Sequence, residues 1–206
     1  PYSGIGLRLW PDHHSASPTG VPDLTGLELS APSLAYARAR TGDLPIRWVE
    51  GDVRDFHLNQ RYALIFARGD VFNFMLTRVD QEAMLACVHE HLADGGQFLF
   101  DNMPMRPAQM VDEPADVAWY TLTHPNGRQI YALGRGWFDH MQQWYIQRCH
   151  EHWDSADVEL VRPPWQLTLR YIMPQDLETL LHYNGFKVVG RYSDYKGDPI
   201  SQEEPG

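Results

Sequence analysis

The sequence has few cysteines, no long apolar run and no excess of positive charge. Two cysteines in 206 residues, Cys87 and Cys149, are too few for a disulfide framework, so we expect two buried thiols in a reducing compartment. A mean hydropathy of −0.44 and the absence of a long apolar stretch argue against a membrane span. A formal charge of −10 disfavours general binding to phosphate backbones. We therefore expect a cytoplasmic protein with a small-molecule partner, no nucleic acid and no membrane contact; the oligomeric state stays open.

The composition is otherwise that of one ordinary globular domain. Hydrophobic residues make up 43% and charged residues 21%, so a packed core is expected. The first 23 residues are an exception, because Trp10, Pro11, Pro18 and Pro22 interrupt any strand or helix pattern there. His150 and His152 alternate in a strand-like run without an evident third ligand, so no metal site is predicted.

From residue 24 to residue 102, strand and helix patterns alternate. Ser30 is a suitable N-cap and Gly42 a suitable C-terminal residue for the first helix. Short links between strands and helices predict a parallel sheet covered by helices. The predicted strands are 24–29, 45–50, 62–67 and 97–100, and the predicted helices are 30–41 and 80–93.

The second half changes character and then returns to the first pattern. Residues 117–171 form long aromatic runs, and Asn126-Gly127 between two of them is a strong hairpin signal. A helix at 173–184 and a strand at 186–192 follow. We therefore predict a single α/β domain over 1–206: a core at 24–102 and 173–200, an inserted antiparallel β lid at 103–172, and an irregular segment at 1–23.

Acidic residues follow several predicted strands, at the edge where ligands bind in open parallel sheets. Glu28 and Asp101 each end a strand, and Asp70 lies in the turn after another. Glu28 could accept hydrogen bonds from both ribose hydroxyls, each contributing about 1.5–3 kcal/mol, although a surface acid would give the same pattern. Asp52 could accept from an adenine amine with Val53 against the ring, but Gly-Asp is also ordinary turn chemistry.

Four segments in one order carry a resemblance: GLELSAPSLAYARAR, IRWVEGDVRDF, YALIFARGDVFNFM and LADGGQFLFD. This ordered set resembles the class I S-adenosylmethionine-dependent methyltransferases of the small-molecule type, with a domain-25-like core. The resemblance covers Leu24 to Pro199, including a closing helix and strand in RYIMPQDLETLLHYNGFKVVGRYSDYKGDP. It implies a Rossmann-like, mostly parallel sheet flanked by helices. It also implies methyl transfer from S-adenosylmethionine to a small acceptor by in-line displacement.

The resemblance also implies roles for single residues. Glu28 would hold the ribose, Leu29 and Val53 would pack near the adenine, and Ala67 and Arg68 would lie near the methionine part. The cofactor-binding set it implies is Glu28, Leu29, Ser30, Asp52, Val53, Ala67 and Arg68. The acceptor pocket it implies, partly from the lid, is lined by Phe72, Tyr120, Tyr131, Trp144 and Arg170. No catalytic base is indicated.

The chain departs from this family before Leu24. The family has a strand that ends in a glycine-rich loop, E/D-x-G-x-G-x-G, which lets the backbone approach the cofactor closely. This chain has PYSGIGLRLWP instead, and degenerate codons for that peptide, read one base later, can spell PILELGCGSGR. We therefore hypothesise a degenerate or frame-shifted motif up to about Val21, and we also expect a truncated C-terminus.

Two alternatives remain open from the sequence. A nicotinamide-dependent oxidoreductase would also need a strand-end acid such as Glu28. A non-catalytic methyltransferase-like protein would explain a damaged glycine loop.

Overall fold

The computed structural model of the chain describes residues 6–11, 24–102, 105, 107–123, 127, 129–153 and 164–200. The strands are β1 (Gly6–Pro11), β2 (Leu24–Glu28), β3 (Ile46–Glu50), β4 (Tyr62–Ala67), β5 (Leu92–Phe100), β6 (Val117–Thr123), β7 (Gln129–Asp139), β8 (Trp144–Trp153) and β9 (Trp165–Arg170). The α-helices are α1 (Ala31–Thr41), α2 (Arg78–His91) and α3 (Pro174–Tyr183), and short 3-10 helices cover Val71–Phe74 and Pro107–Gln109.

The first sheet has the strand order β3-β2-β1-β4-β5. β2 pairs with β3 in parallel, β4 pairs with β5 in parallel, and β1 is antiparallel to both β2 and β4. Four of the five strands therefore run in one direction, which confirms the predicted Rossmann-like, mostly parallel sheet. The strand Gly6–Pro11 differs from the irregular segment expected for 1–23. This strand lies between β2 and β4, and its backbone N–H and C=O groups pair with those of both neighbours.

Local sequence signals account for the helix starts. Ser30 is the N-cap of α1, and its hydroxyl accepts a hydrogen bond from the Ser33 N–H. α2 begins two residues before the predicted position because Thr77 and Asp80 form a capping box. The glycine after α3, Gly185, has φ +83°, the left-handed conformation that ends helices.

The core lies between the first sheet and its helices. Buried side chains of β2, β4 and α2 form one cluster, which Ile172 and Leu181 join from the second half of the chain. Both halves therefore share a single core. The fully buried large side chains of the cluster include Leu27, Tyr62, Ile65, Phe72, Met84 and Leu85.

The second sheet is the predicted antiparallel lid, with strand order β6-β7-β8-β9. Gly127 has φ +87° between β6 and β7, as the hairpin prediction requires; Asn126 lies outside the described residues. Residues that face each other across the strands share a face, so Thr121 and Tyr131 lie on one face and Tyr120 and Ala132 on the other. We call these the Tyr131 face and the Tyr120 face.

The strand predicted at 186–192 does not form. Residues 186–190 have no regular structure, and Tyr192 makes only an isolated bridge to Pro199. A strand there would need a partner beyond β5, and no described segment pairs with that edge. Phe186 instead packs on the core, with its ring 6.2 Å from that of Phe98.

Three smaller expectations can be compared with the structure. Both cysteines are buried and free, as expected. Within the described residues, no helix has the length and apolar character needed to cross a membrane. The same part of the chain contains no group of three or more His, Cys, Asp or Glu side chains that could hold a metal.

Candidate active site

The carboxyl ends of β2, β3, β4 and β5 meet at one edge of the first sheet, which we call the carboxyl edge. The register places Glu28 beside Glu50 and Ala67 beside Phe100, with β1 between the two parallel pairs. Neighbouring strands lie about 4.8 Å apart, so Glu28 and Ala67 are separated by about 10 Å across β1. The predicted cofactor residues therefore belong to one edge.

Glu28 is a buried carboxylate at this edge. Only 4% of the residue is exposed, and its Oε1 accepts a hydrogen bond of 2.9 Å from the Ser30 N–H. The start of α1 thus orients the carboxylate at the end of β2. No described residue donates to Oε2, so this oxygen remains available as an acceptor.

Asp52 is engaged within the protein. Its two carboxylate oxygens accept three hydrogen bonds from the Nε and a terminal nitrogen of the Arg54 guanidinium, the shortest at 2.6 Å. Arg54 also donates to Asp80 at the start of α2, at 2.7 Å. Hydrogen bonding from Arg54 lowers the pKa of the Asp52 carboxyl. Contact with an adenine amine would require this ion pair to open.

The remaining residues of the predicted cofactor set differ in accessibility. Leu29 is 61% exposed, which leaves apolar surface beside Glu28. Ser30 uses its hydroxyl to cap α1. Val53 and Ala67 are buried, and both belong to the core cluster. Leu29 is thus the member of this set with open apolar surface at the edge.

The loop after β4 is held by a network that includes the C-terminal segment. Asp101 accepts hydrogen bonds from the N–H groups of Gly69 and Asp70, at 2.9 and 3.0 Å. Its Oδ2 also accepts a 2.6 Å hydrogen bond from the Tyr195 hydroxyl. The Arg68 guanidinium lies 5.1 Å from the centre of the Tyr195 ring. Asp101 therefore fixes the loop that the resemblance assigns to the methionine part.

Two groups in this network, the Asp70 carboxyl and the Tyr195 hydroxyl, have raised pKa values. Burial, and then the neighbouring Asp101 carboxylate, raise the pKa of Asp70. Burial, followed by the hydrogen bond to Asp101, raises the pKa of Tyr195 to about 12. Asp70 has a positive φ of 59°, and its carboxylate makes no hydrogen bond or ion pair with a described residue. It is a partly buried acid at the carboxyl edge that is free to meet a ligand.

The direction of β1 sets which part of the N-terminal segment reaches this edge. Gly6 pairs with Glu28, and Leu7 pairs with Ala67, so the beginning of β1 lies at the carboxyl edge. Pro11, at the other end, pairs with Tyr62 at the amino end of β4. A glycine loop that followed β1 would therefore leave from the opposite edge. Gly4 and residues 12–23 lie outside the described residues.

The structure separates the predicted acceptor-pocket residues. Phe72 is fully buried, with its ring 5.0 Å from that of Phe100, so it packs in the core and has no open surface. Tyr120 lies on the Tyr120 face, where its hydroxyl donates to Glu151 at 3.0 Å. Trp144 pairs with Arg170 and shares the Tyr131 face. The alternation of side chains along a strand therefore places Tyr120 and Tyr131 on opposite sides of the lid.

Trp144 and Arg170 connect the lid to the loop after β4. The Trp144 indole and the Arg170 guanidinium both donate to the Leu76 carbonyl, at 3.2 and 2.9 Å. Asn73, in the Val71–Phe74 helix, donates to the Arg170 carbonyl at 2.8 Å. The Tyr131 face thus adjoins the carboxyl edge, and these donors hold the two parts together.

Sequence reasoning found most of this edge and missed one participant. It identified Asp70 and Asp101 as strand-end residues without giving them a partner. It gave no role to Tyr195, which is 94 positions from the carboxylate that it contacts. Sequence periodicity and residue spacing indicate contacts between near neighbours, so they give no sign of a contact over 94 positions.

Comparisons with known proteins identify the fold. Residues 13–96 match the family model of the methyltransferase domain. The structure is similar to a S-adenosylmethionine-dependent methyltransferase from Clostridium acetobutylicum ATCC 824, with 16% identity and a TM-score of 0.70 over 85% of this chain and 69% of the other. It is also similar to CalS10, an amino pentose methyltransferase from Micromonospora echinaspora, with 20% identity and a TM-score of 0.66 over 84% and 70%.

One curated relative is similar in sequence. It is dTDP-3-amino-3,4,6-trideoxy-alpha-D-glucopyranose N,N-dimethyltransferase from Streptomyces venezuelae, 34% identical over 74 residues. The match covers 36% of this chain and 30% of the relative. The chain has the fold of the class I methyltransferases.

Proposed function

We propose that the chain binds S-adenosylmethionine at the carboxyl edge and transfers its methyl group to the amine of a small acceptor. The observation that carries the proposal is Glu28, a buried carboxylate oriented by Ser30 at the end of β2, with one oxygen open to donors. A pair of ribose hydroxyls fits this acceptor, because the charged oxygen can receive hydrogen bonds from both. The similar structures include CalS10 solved with S-adenosylmethionine bound, which supports the same assignment.

The other residues of the edge complete the proposed cofactor site. Leu29 offers exposed apolar surface for the adenine ring next to Glu28. Asp52 and Val53 would contact the adenine if Arg54 released the carboxylate, and Ala67 and Arg68 would approach the methionine part. The network of Asp101 and Tyr195 would then keep the loop after β4 in place while the cofactor binds. The protein contributes alignment, and alignment can supply about 7–11 kcal/mol of the barrier.

The acceptor that we propose is an amine on a sugar-like molecule. The curated relative is named as an N,N-dimethyltransferase of an amino sugar, and CalS10 is named as an amino pentose methyltransferase. In this chain the carboxylate of Asp70, which has no partner among the described residues, lies at the same edge. A carboxylate there can hold an ammonium group, and its raised pKa suits proton acceptance from nitrogen.

The chemistry follows from an activated methyl donor. Bound S-adenosylmethionine supplies a methyl group on a positively charged sulfur, so displacement needs no further activation by the protein. The acceptor nitrogen forms the new C–N bond while the C–S bond breaks, and the nitrogen must be unprotonated to attack. Asp70 would take the proton that the nitrogen gives up, and Arg170 and Trp144 would hold the lid over the reacting groups.

Calorimetric titration of the chain with S-adenosylhomocysteine tests the cofactor assignment. We expect saturable binding with one site per chain. A folded sample that releases no heat with S-adenosylhomocysteine would contradict the proposal. Binding of NAD in its place would favour the oxidoreductase alternative.

A second candidate function is a non-catalytic relative of the methyltransferases. The direction of β1 favours it, because the segment after an antiparallel β1 leaves from the edge opposite Glu28. A variant with PILELGCGSGR in place of residues 1–11 separates the two candidates. If only that variant binds S-adenosylhomocysteine, the chain itself is the non-catalytic form.

A further inference from the structure

Arg54 occupies the carboxylate that the proposed cofactor site would offer to an adenine amine. Its Nε and a terminal nitrogen donate to the two Asp52 oxygens at 3.0 and 2.6 Å, and its backbone N–H donates to the same carboxylate at 2.9 Å. A carboxylate has about four acceptor positions. Because Arg54 holds both oxygens, a ligand amine would have to displace it in order to reach Asp52.

The local backbone brings Arg54 onto Asp52. The Asp55 N–H donates to the Asp52 carbonyl at 3.1 Å and closes a tight turn. Within this turn the Asp52 side chain accepts from the Arg54 N–H, the arrangement in which a short acid bonds the backbone two residues further on. The turn begins beside the proposed ribose site, because the Gly51 N–H donates to the Glu28 carbonyl at 3.1 Å. Arg54 therefore covers a position next to that site.

Asp80 gives Arg54 a second carboxylate. The other terminal nitrogen of the guanidinium donates to an Asp80 oxygen at 2.7 Å. Asp80 is part of the capping box of α2, in which its second oxygen accepts from the hydroxyl and the backbone N–H of Thr77. Its position therefore does not depend on Arg54. Asp52 can lose its contact with Arg54 while the guanidinium stays paired with Asp80.

The pair of Arg54 and Asp52 is open to solvent. The side chain of Arg54 is 44% exposed and that of Asp52 is 26% exposed. Ion pairs that are this accessible contribute little, because water screens the attraction and fixing a long side chain costs entropy. Hydrogen bonding from Arg54 also lowers the pKa of Asp52, so this acid stays charged at neutral pH. An incoming donor, rather than a proton, is therefore what can open the pair.

We propose that Arg54 is a specificity-determining residue of the cofactor site: it competes with the adenine 6-amine for Asp52 and remains on Asp80 alone when the cofactor binds. The inference rests on the proposed function, because it assumes that the adenine reaches Asp52. In the free chain Arg54 closes the adenine position, and in the bound chain Asp52 accepts from the amine. A base without a donor at this position gains nothing from the release of Arg54.

Calorimetric titration with S-adenosylhomocysteine and with its purine analogue, in which hydrogen replaces the 6-amine, tests this competition. Arg54→Met keeps an unbranched side chain but removes its donors. We expect this variant to bind S-adenosylhomocysteine about two- to fivefold more tightly than wild type, the range expected for one exposed ion pair. Binding of the purine analogue should not change. Arg78→Met is the matched control, because Arg78 is an exposed arginine that pairs with Glu82, and it should bind both compounds like wild type.

Asp80→Asn should shift the affinity in the opposite direction. Loss of the Asp80 charge strengthens the hold of Arg54 on Asp52, so S-adenosylhomocysteine should bind about two- to fivefold more weakly. Asparagine can still accept from the Thr77 N–H, which keeps the start of α2. Both variants lose an ion pair of Arg54, so a purely structural role would not shift their affinities in opposite directions. Urea denaturation of each variant confirms that the titrated sample is folded.

The outcomes separate this inference from the proposed function. Unchanged or weaker S-adenosylhomocysteine binding in Arg54→Met, with binding intact in wild type, would overturn the inference and leave the proposed function standing. Equal tightening for the purine analogue would also overturn it, because the amine would then not be the competitor. Binding in Arg54→Met but not in wild type would support it. Absence of binding in both would contradict the proposed function and the inference together.

Discussion

Asp70 has the properties of a residue kept for a ligand rather than for stability. Its backbone is in the left-handed region, with φ 59°, and its carboxylate has no described partner although it is partly buried. Burying a charge without a partner costs stability, and functional residues often carry such a cost. Burial raises the pKa of this carboxyl because the charged form is less stable there than in water.

We expect Asp70→Asn to leave stability unchanged or to increase it. Because the folded-state pKa is raised above the unfolded value, deprotonation as pH rises through that range disfavours the folded state, and at pH 7 the variant no longer carries this penalty. Asparagine also tolerates the left-handed backbone well. Urea denaturation at pH 7 measures the free energy of unfolding, with Asp43→Asn as the exposed control. A loss of more than about 1 kcal/mol in Asp70→Asn alone would contradict this view of Asp70.

Single residues were predictable where the local sequence determines their place. Glu28 and Ser30 were identified correctly as a strand end and a helix cap, because both roles depend on immediate neighbours. The engagement of Asp52 by Arg54 was not predicted, although the two residues are only two apart, since Gly-Asp-Val gives no indication of side-chain direction. The role of Tyr195 was not predicted, because its partner Asp101 is 94 positions away in the sequence.

The junction between the lid and the core depends on the Val71–Phe74 helix. Asn73 is 1% exposed, and its side-chain amide donates to the Asn102 side chain and to the Arg170 carbonyl. Removal of a buried donor leaves its acceptors without a partner, and each such loss costs about 1–3 kcal/mol. The Asn73 amide therefore contributes to the junction together with the Trp144 and Arg170 donors to the Leu76 carbonyl.

We predict that Asn73→Ala lowers the free energy of unfolding by about 1–3 kcal/mol. The exposed residue Asn59 is the matched control, and Asn59→Ala should change stability by less than about 0.5 kcal/mol. Chemical denaturation of both variants, monitored by tryptophan fluorescence, provides the comparison. Similar stability of the two variants would show that the lid does not depend on Asn73.

Strands were predicted most accurately where their apolar pattern in the sequence is continuous. The apolar run at 62–67 has the predicted bounds, because its pattern is continuous and the charged residue Arg68 follows it. The strand predicted at 186–192 failed because a strand needs a hydrogen-bonding partner, which its own sequence cannot reveal. The same limit applies to β1, whose direction depends on β2 and β4 rather than on its own residues.

The whole molecule combines a methyltransferase fold with an unusual central strand. The common direction of β2, β3, β4 and β5 was predictable, because strands that alternate with helices favour a parallel sheet. The pairing of the lid with the loop after β4 was not, because it depends on hydrogen bonds between residues that are 68 to 97 positions apart. At this scale the central claim is that the carboxyl edge holds S-adenosylmethionine through Glu28.

The most direct test is calorimetric titration of Glu28→Gln and Glu50→Gln with S-adenosylhomocysteine. The two residues are partners in the parallel register of β2 and β3, but Glu50 is exposed, and glutamine at position 28 can still accept from the Ser30 N–H. We expect Glu28→Gln to weaken binding about tenfold or more and Glu50→Gln to bind like the wild-type chain. Wild-type affinity in Glu28→Gln, or equal losses in both variants, would contradict the assignment of this edge to the cofactor.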